Sequence, residues 1–480
     1  MRTGQVTIKI VFSFLFFLFS VFLLQSCAAL PNSTIDGGRE IESTLSSNFF
    51  TSCQAAVSIY DLTSAKSLFT RNDRLLFHPA SNQKILTTAA AYFFLGPAYN
   101  FETTVFRSGE LKDSVFKGDY YFTGGFDPLF SSNDLDLAVS LIKKSGIKKI
   151  EGNIYADFSA MDSLSWGEGW MWDDEAAYFS PLTINDNAVR VIVSPGEPGR
   201  PANVKLLPQT AFVRVSNRTE TIAQGTLSLV YSRDWLNQQN IFNITGRVPL
   251  SERADTLTIR IFNPRSYFLT LLKESFGIHG ILLTGRTDTL NEATNAGKCF
   301  AIFHNIEPAI RRTNKQSDNL CAELILRALA LEKYGKPASA KNGISLIDSL
   351  ILKTGLDPHN YRLVDGSGLS FYNLVSTELL IEIFKYLYFN RPVLFGKLFD
   401  TFPISGIDGT LIGRMTKSAA FKQVHAKTGT LTGVSALSGL VNSKNNHRII
   451  FSILMQNFPG DQQEARRIQD RLCEIIYQNN

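Results

Sequence analysis

Between about residues 103 and 297 the chain reads as short strands and turns, while the segments on either side carry longer helix-forming runs. Any fold for this chain must accommodate that long β-rich interruption. Ahead of it, Ile41–Phe49 suits a short helix, and Ala55–Tyr60 with Lys66–Thr70 suits a β-hairpin. Within it, apolar and alternating runs predict strands at Phe101–Phe106, Tyr120–Thr123, Gly152–Asp157, Thr183–Ser194, Val204–Leu207, Phe212–Val215, Thr226–Tyr231, Ile241–Val248 and Ile281–Thr284. Helical spacing predicts Leu135–Lys144 and Tyr267–Phe276. Trp166, Trp170 and Trp172 are expected to form a packing cluster. After it come a strand, Cys299–His304, and helices at Leu320–Leu331, Ser345–Leu352 and Ser376–Phe389. A chain of 480 residues is long enough for two or three domains and at least one large core. Its net charge of +5 is mild and no basic block occurs, so nucleic acid is not implied as a partner.

Just before the interruption, His78-Pro-Ala-Ser-Asn-Gln-Lys84 leads into a run with helical spacing (Ile85, Leu86, Ala89, Ala90, Ala91, Phe93, Phe94). Ser81 and Lys84, three apart, then share a helix face. Ser81 stands at the positive end of the helix dipole, which favours an anion there. Lys84, pressed against apolar neighbours, loses hydration, and a desolvated lysine is a base near neutrality. A serine beside a neutral amine is an activated nucleophile that needs no histidine. Ser-x-x-Lys alone is a weak signal, since Ser114/Lys117, Ser140/Lys143 and Ser145/Lys148 also match. Only the Ser81 match opens a long apolar helix.

Two further patterns follow. Ser317-Asp318-Asn319 opens the helix Leu320–Leu331; as a capping sequence, Ser317 reads equally well as the helix cap. Lys427-Thr428-Gly429-Thr430 ends an apparent strand beginning at Val424. The runs Ser435–Val441 and His447–Met455, joined by the polar turn Asn442–Asn446, complete an antiparallel meander with Lys-Thr-Gly on its edge, and the helix Gln462–Tyr477 would cover it. A second Lys-Thr-Gly, at Lys353–Gly355, reads as a helix end with a C-terminal glycine. Ser-x-x-Lys, Ser-Asp-Asn and Lys-Thr-Gly in this order form the set used by penicillin-binding proteins and class A β-lactamases.

The N-terminus predicts export. Arg2 and Lys9 precede an apolar run, Ile10 to Leu24, whose 15 residues suit a signal segment better than a spanning helix, which needs about 20. Leu24-Gln25-Ser26-Cys27 then reads as a lipobox, with Cys27 as the lipidated residue and residues 28–38 as a tether. Cys53, Cys299, Cys321 and Cys473 do not fit a metal site by spacing. Export permits disulfides among them, in three full pairings, and buried free thiols are an equal alternative.

Together with Gly124-Gly-Phe-Asp-Pro128, Gly146–Gly152, Trp170-Met-Trp-Asp-Asp174, Asn185-Asp-Asn-Ala-Val189 and Asp365-Gly-Ser-Gly-Leu-Ser370, the three motifs resemble one family. It is the class C low-molecular-mass penicillin-binding proteins, the D-alanyl-D-alanine carboxypeptidase/endopeptidase group of peptidase family S13. The 236 residues separating Ser81 from Ser317 strengthen the likeness, since single-domain relatives of this chemistry have far fewer there. Departures are Phe126, where the family often has a smaller residue, and Phe371, where it often has a basic one.

The resemblance implies an α+β fold: a β-lactamase/transpeptidase-like catalytic domain, an antiparallel sheet flanked by helices, interrupted by two nested β-rich accessory domains. The expected limits are a lipoprotein-type signal peptide over 1–26, catalytic domain over 28–102 and 298–480, one accessory domain over 103–172 and 258–297, and the second over 173–257. It further implies Ser81 as nucleophile, Lys84 as base, Ser317 and Lys427 in proton transfer, and Asn319 on the substrate amide and Lys84. Thr428, Gly429 and Thr430, with Lys427, would meet the substrate's terminal carboxylate, and backbone N–H groups of Ser81 and Thr430 would form an oxyanion hole. The partners implied are peptidoglycan stem peptides, β-lactams as covalent inhibitors, and a membrane reached through the Cys27 lipid. No metal or organic cofactor is needed. Two alternatives stand beside this reading. A β-lactamase would require a water-activating carboxylate between Asn319 and Lys427, where no Glu-x-x-Leu-Asn stretch is found. A non-catalytic wall-binding or drug-sensing scaffold would have no need of all five polar residues.

Overall fold

Alternation along two C-terminal strands decides how the two ends of the chain meet. In Val434–Asn442 and Arg448–Gln456, Ala436, Leu440, Ile450 and Leu454 face one apolar cluster, while Leu437, Val441, Ile449, Phe451, Ile453 and Met455 face another. A strand apolar on both faces must be covered on both. In the computed structural model, which describes residues 37–172, 174, 176–290, 296–460 and 462–480, both covers are present. The signal segment, Cys27 and residues 28–36 of the tether lie outside the described residues.

The sheet is antiparallel throughout. Its order is Val424–Leu431, Val434–Asn442, Arg448–Gln456, Gln54–Asp61, Lys66–Arg71, so the Lys-Thr-Gly strand is an edge. The C-terminal helix Gln462–Gln478 packs Ile468, Leu472, Ile475 and Ile476 against one face. On the other lie Gln83–Phe94, Asn319–Tyr334, Ala340–Lys353, Thr377–Asn390 and Pro392–Asp400. The helix Gln83–Phe94 runs through the middle of this cluster with Ile85, Leu86, Ala89, Ala90 and Ala91 fully buried. This is the helix-flanked antiparallel sheet of the expected α+β fold.

The β-rich interruption enters through Asn100–Lys112 and leaves through Gly297–Asn305. These strands pair antiparallel with Asn100 opposite Asn305, so entry and exit lie side by side. They belong to a seven-stranded mixed sheet that includes the long hairpin Asn100–Lys112/Val115–Gly124. Two three-stranded sheets follow: Ser228–Arg233, Ile241–Pro249, Arg214–Ile222; and Asp255–Arg260, Ala188–Ser194, Asn203–Leu207. All three sheets share one apolar cluster containing Phe122, Ile154, Val191, Ile244, Ile259 and Tyr267.

Several expectations shift. The strand expected at Phe212–Val215 runs from Arg214 to Ile222. Glu274 accepts from the backbone of Ala211 at 2.8 Å, and Thr210 Oγ1 accepts from Phe212 N at 3.1 Å, so the chain turns here instead of pairing. Strands Asp255–Arg260 and Thr287–Leu290 and helices Ile306–Lys315 and Pro392–Asp400 are additional. Trp166 and Trp170 meet edge-to-face at 5.3 Å, but Trp172 is 69% exposed and lies outside the cluster. Cys53, Cys299, Cys321 and Cys473 are all free thiols, which corrects the disulfide alternative.

Candidate active site

The serine stands in a single 3-10 turn, Ala80–Asn82, that feeds the helix Gln83–Phe94. Ala80 takes a left-handed φ of 45°, an unusual conformation for a residue with a Cβ. Gly368 packs beneath it, so closely that a Cβ at 368 would stand 1.8 Å from the Ala80 carbonyl oxygen. The turn aims Ser81 Oγ at Lys84, whose Nζ donates to it at 2.9 Å. Lys84 Nζ also donates to Asn319 Oδ1 at 2.7 Å and to the Ser367 carbonyl at 2.6 Å. Its side chain is wholly buried. Burial pushes the ammonium down to about 8, against the opposing pull of Asp365, Asp318 and Glu323.

In the second motif the cap is the aspartate. Asp318, not Ser317, caps the helix Asn319–Tyr334, its Oδ1 accepting from Cys321 N at 2.9 Å. Ser317 takes a left-handed φ of 60° and turns its hydroxyl to Lys427, whose Nζ donates to Ser317 Oγ and to the Thr428 carbonyl, each at 2.9 Å. Asp318 accepts from Arg312 at 2.6 Å. Lys427 is fully buried, and desolvation together with the nearby Lys84 charge holds its ammonium well below the usual lysine range.

The edge strand is seated directly on the serine turn. Asn82 Nδ2 donates to the Lys427 carbonyl at 3.0 Å. Gly429 lies so close that a Cβ would stand 2.8 Å from the Pro79 oxygen and 3.0 Å from Ser81 N. Ser81, Ser317, Asn319, Thr428, Gly429 and Thr430 therefore line one cleft of ≈ 620 Å³, with Lys84 and Lys427 bonded from beneath. No Asp or Glu is among its described lining residues. The second Lys-Thr-Gly indeed ends a helix, with Gly355 at φ 89°. Of the histidines, His78 Nδ1 lies 3.3 Å from the Asn373 carbonyl, and neither it nor His425 lines the cleft.

Sequence reasoning quoted the Trp170–Asp174 and Asp365–Ser370 motifs without a role behind the lysine, and did not single out Glu323 and Arg327. Glu323 Oε1 accepts from Gly366 N and Ser367 N, both at 2.9 Å, and its Oε2 pairs with Arg327 at 3.0 Å. Asp365 accepts from Trp170 Nε1, Gly368 N, Ser370 N and Asn373 Nδ2, each at 2.8 Å. This network holds the Ser367 carbonyl on Lys84. Its signal was present: Glu323 and Arg327 are opposite charges four apart in a helix buried on every side, and such charges must pair with each other.

Residues 39–478 match the family model described as the D-Ala-D-Ala carboxypeptidase 3 (S13) family. The chain is 27% identical over 398 residues to D-alanyl-D-alanine carboxypeptidase DacB of Haemophilus influenzae, covering 81% of this chain and 82% of that one. It is 28% identical over 440 residues to the D-alanyl-D-alanine carboxypeptidase of an Actinomadura species, covering 85% and 78%. Its fold is similar to the crystal structure of penicillin binding protein 4 from Haemophilus influenzae, with a TM-score of 0.78 at 24% identity over 92% of this chain and all of that one.

Proposed function

The chain belongs to the D-Ala-D-Ala carboxypeptidase 3 (S13) family, and from that premise we propose that it is a serine-type D-Ala-D-Ala carboxypeptidase acting on peptidoglycan stem peptides through an acyl-enzyme on Ser81. The observation that carries the residue assignment is the paired contact of two buried lysines with two hydroxyls, Lys84 on Ser81 and Lys427 on Ser317. Ser81 Oγ attacks the carbonyl of the penultimate D-alanine as neutral Lys84 takes its proton. The oxyanion that forms meets the backbone N–H groups of Ser81 and Thr430, where each donor is worth about 3–4 kcal/mol. Ser317, hydrogen-bonded to Lys427, passes a proton to the departing D-alanine amine. Water then releases the acyl group. Asn319 orients Lys84 and offers its amide to the substrate. Thr428 and Thr430 supply hydroxyls for the terminal carboxylate.

A β-lactam acylates the same serine, and the absence of any carboxylate from the described cleft lining supports slow deacylation over a β-lactamase. Incubation with benzylpenicillin, followed by intact mass and peptide mapping, is expected to give a long-lived adduct on Ser81 that Ser81→Ala abolishes. Rapid loss of adduct while drug is consumed points to a β-lactamase, and no adduct points to a scaffold. The apolar run and lipobox support export to the cell envelope with a lipid on Cys27. Cys27→Ser is then expected to move the protein from the membrane to the soluble fraction, and an unchanged membrane fraction removes that anchor.

A further inference from the structure

The C-terminal helix does more than cover the sheet. Gln462, Arg466 and Gln469 are spaced four and three apart and so share one face of Gln462–Gln478. The two glutamines are fastened to the strands around the cleft. Gln462 Nε2 donates to the Leu431 carbonyl at 2.9 Å, and Gln469 Nε2 to Ser435 Oγ at 3.1 Å. Arg466 lies between these two fixed points, and its side chain lines the same cleft as Ser81, Thr428 and Thr430. Arg414 Nη2 bonds the Arg466 carbonyl at 3.1 Å, which fixes the helix turn that carries it.

Charge singles this residue out. An anionic substrate terminus entering the cleft meets four basic residues. Lys84 and Lys427 are buried, occupied with the two serines, and disfavoured as cations by desolvation. Arg414 is already neutralised by Asp470, at 2.6 Å. Arg466 is always protonated and exposed. Among the described residues its guanidinium donates to Gln462 Oε1, at 3.3 Å, and no carboxylate lies within ion-pair distance of it. Among the described residues Arg466 is thus the cleft-lining cation outside any close ion pair, Asp470 being held by Arg414 and feeling Arg466 only at longer range.

We propose that Arg466 is a specificity-determining residue, the cation that pairs with the C-terminal carboxylate of the D-Ala-D-Ala substrate next to Thr428 and Thr430. This rests on the carboxypeptidase reading and deepens it. Lys427 is then left free to serve Ser317. A guanidinium presents a planar fork that matches a carboxylate in two parallel hydrogen bonds, which an ammonium does not.

The test compares the purified protein with Arg466→Gln and Arg466→Lys on an N-acylated L-Lys-D-Ala-D-Ala tripeptide and on its C-terminal carboxamide. Arg466→Gln is expected to lower kcat/KM for the free acid at least tenfold, mainly through KM, and to leave the carboxamide within twofold of wild type. Arg466→Lys is expected to recover part of the loss on the free acid alone. An equal loss on both substrates overturns the proposal, because it marks a structural role. Equal activity of Arg466→Gln and wild type on the free acid also overturns it while the carboxypeptidase reading stands. A wild-type protein that neither cleaves the free acid nor forms the Ser81 penicillin adduct removes that reading and this inference with it.

Discussion

As the proposed base, Lys84 must be neutral to accept a proton, and burial rather than a neighbouring cation favours that state. The ammonium, ordinarily near 10.5, is held to about 8. Acylation by benzylpenicillin should therefore climb about tenfold per pH unit below pH 8 and level off above it. Stopped-flow or mass-resolved rates across pH 6–10 check this, and a profile flat through that range removes Lys84 as the base. Lys84→Arg, always protonated, should lower the rate by about 10²–10⁴. Stability carries the same signature. Because the folded value is depressed, the buried ammonium costs about 3 kcal/mol at pH 7, where folded and unfolded chains are both still mainly protonated. That cost fades as pH rises from about 8 to 10.5. Lys84→Met should raise the melting midpoint at pH 7, with the gain shrinking toward pH 10. At this scale the sequence was legible where one residue's own neighbours decide its state: the apolar run after Lys84 foretold its desolvation. It was ambiguous at Ser317, because Ser and Asp are both good caps and only the Lys427 contact separates their roles.

Elements are placed against one another by what they lack. Gly429 has no side chain, and so the Lys-Thr-Gly strand can lie on the Ser81 turn. Gly429→Ala would set a Cβ 2.8 Å from the Pro79 carbonyl, a backbone atom that cannot swing aside. The strand must back away, widening the cleft between Ser81 and Thr430. Acylation should fall at least tenfold, as expected when an oxyanion donor is misplaced, while the melting midpoint moves only a few degrees because the strand keeps its pairing with Val434–Asn442. Near-normal acylation in that variant would show that the close approach does not position the site. The meander was legible because its strands are long, apolar and separated by clear turns. The helix Ile306–Lys315 was not: it is short and polar, carries Pro308 in its first turn, and follows its strand without a linker. The strand Asp255–Arg260 escaped for a related reason, since its exposed half-polar face dilutes the alternation.

On the scale of the whole molecule, one guanidinium ties the β-rich insertion to the Ser317 motif, as the Trp170–Asp365 bond ties it to the support of Lys84. Arg312 follows the strand by which the insertion leaves, and its Nη2 stands 2.6 Å from both Asp186 and Asp318. Asp186 sits in the insertion, in a left-handed turn whose neighbour Asn185 is bonded to Ser132 at 2.7 and 2.9 Å. Asp318 stands between Ser317 and Asn319. The texture of the sequence pointed to a β-rich stretch between helical ones, but not to which of its turns reaches back, because charges so far apart in the chain meet only once the fold is formed. The two carboxylates should not matter equally. Arg312→Ala strands Asp318, which is only 10% exposed, and should cost about 2–4 kcal/mol and slow acylation more than tenfold. Asp186→Asn removes a partner that is 33% exposed and should cost about 1 kcal/mol or less, slowing acylation about threefold. Urea midpoints and benzylpenicillin acylation rates on both variants decide the matter. If Asp186→Asn proves as damaging as Arg312→Ala, the insertion sets the geometry of Ser317, and a ligand that moves the insertion would then control the rate of chemistry on Ser81.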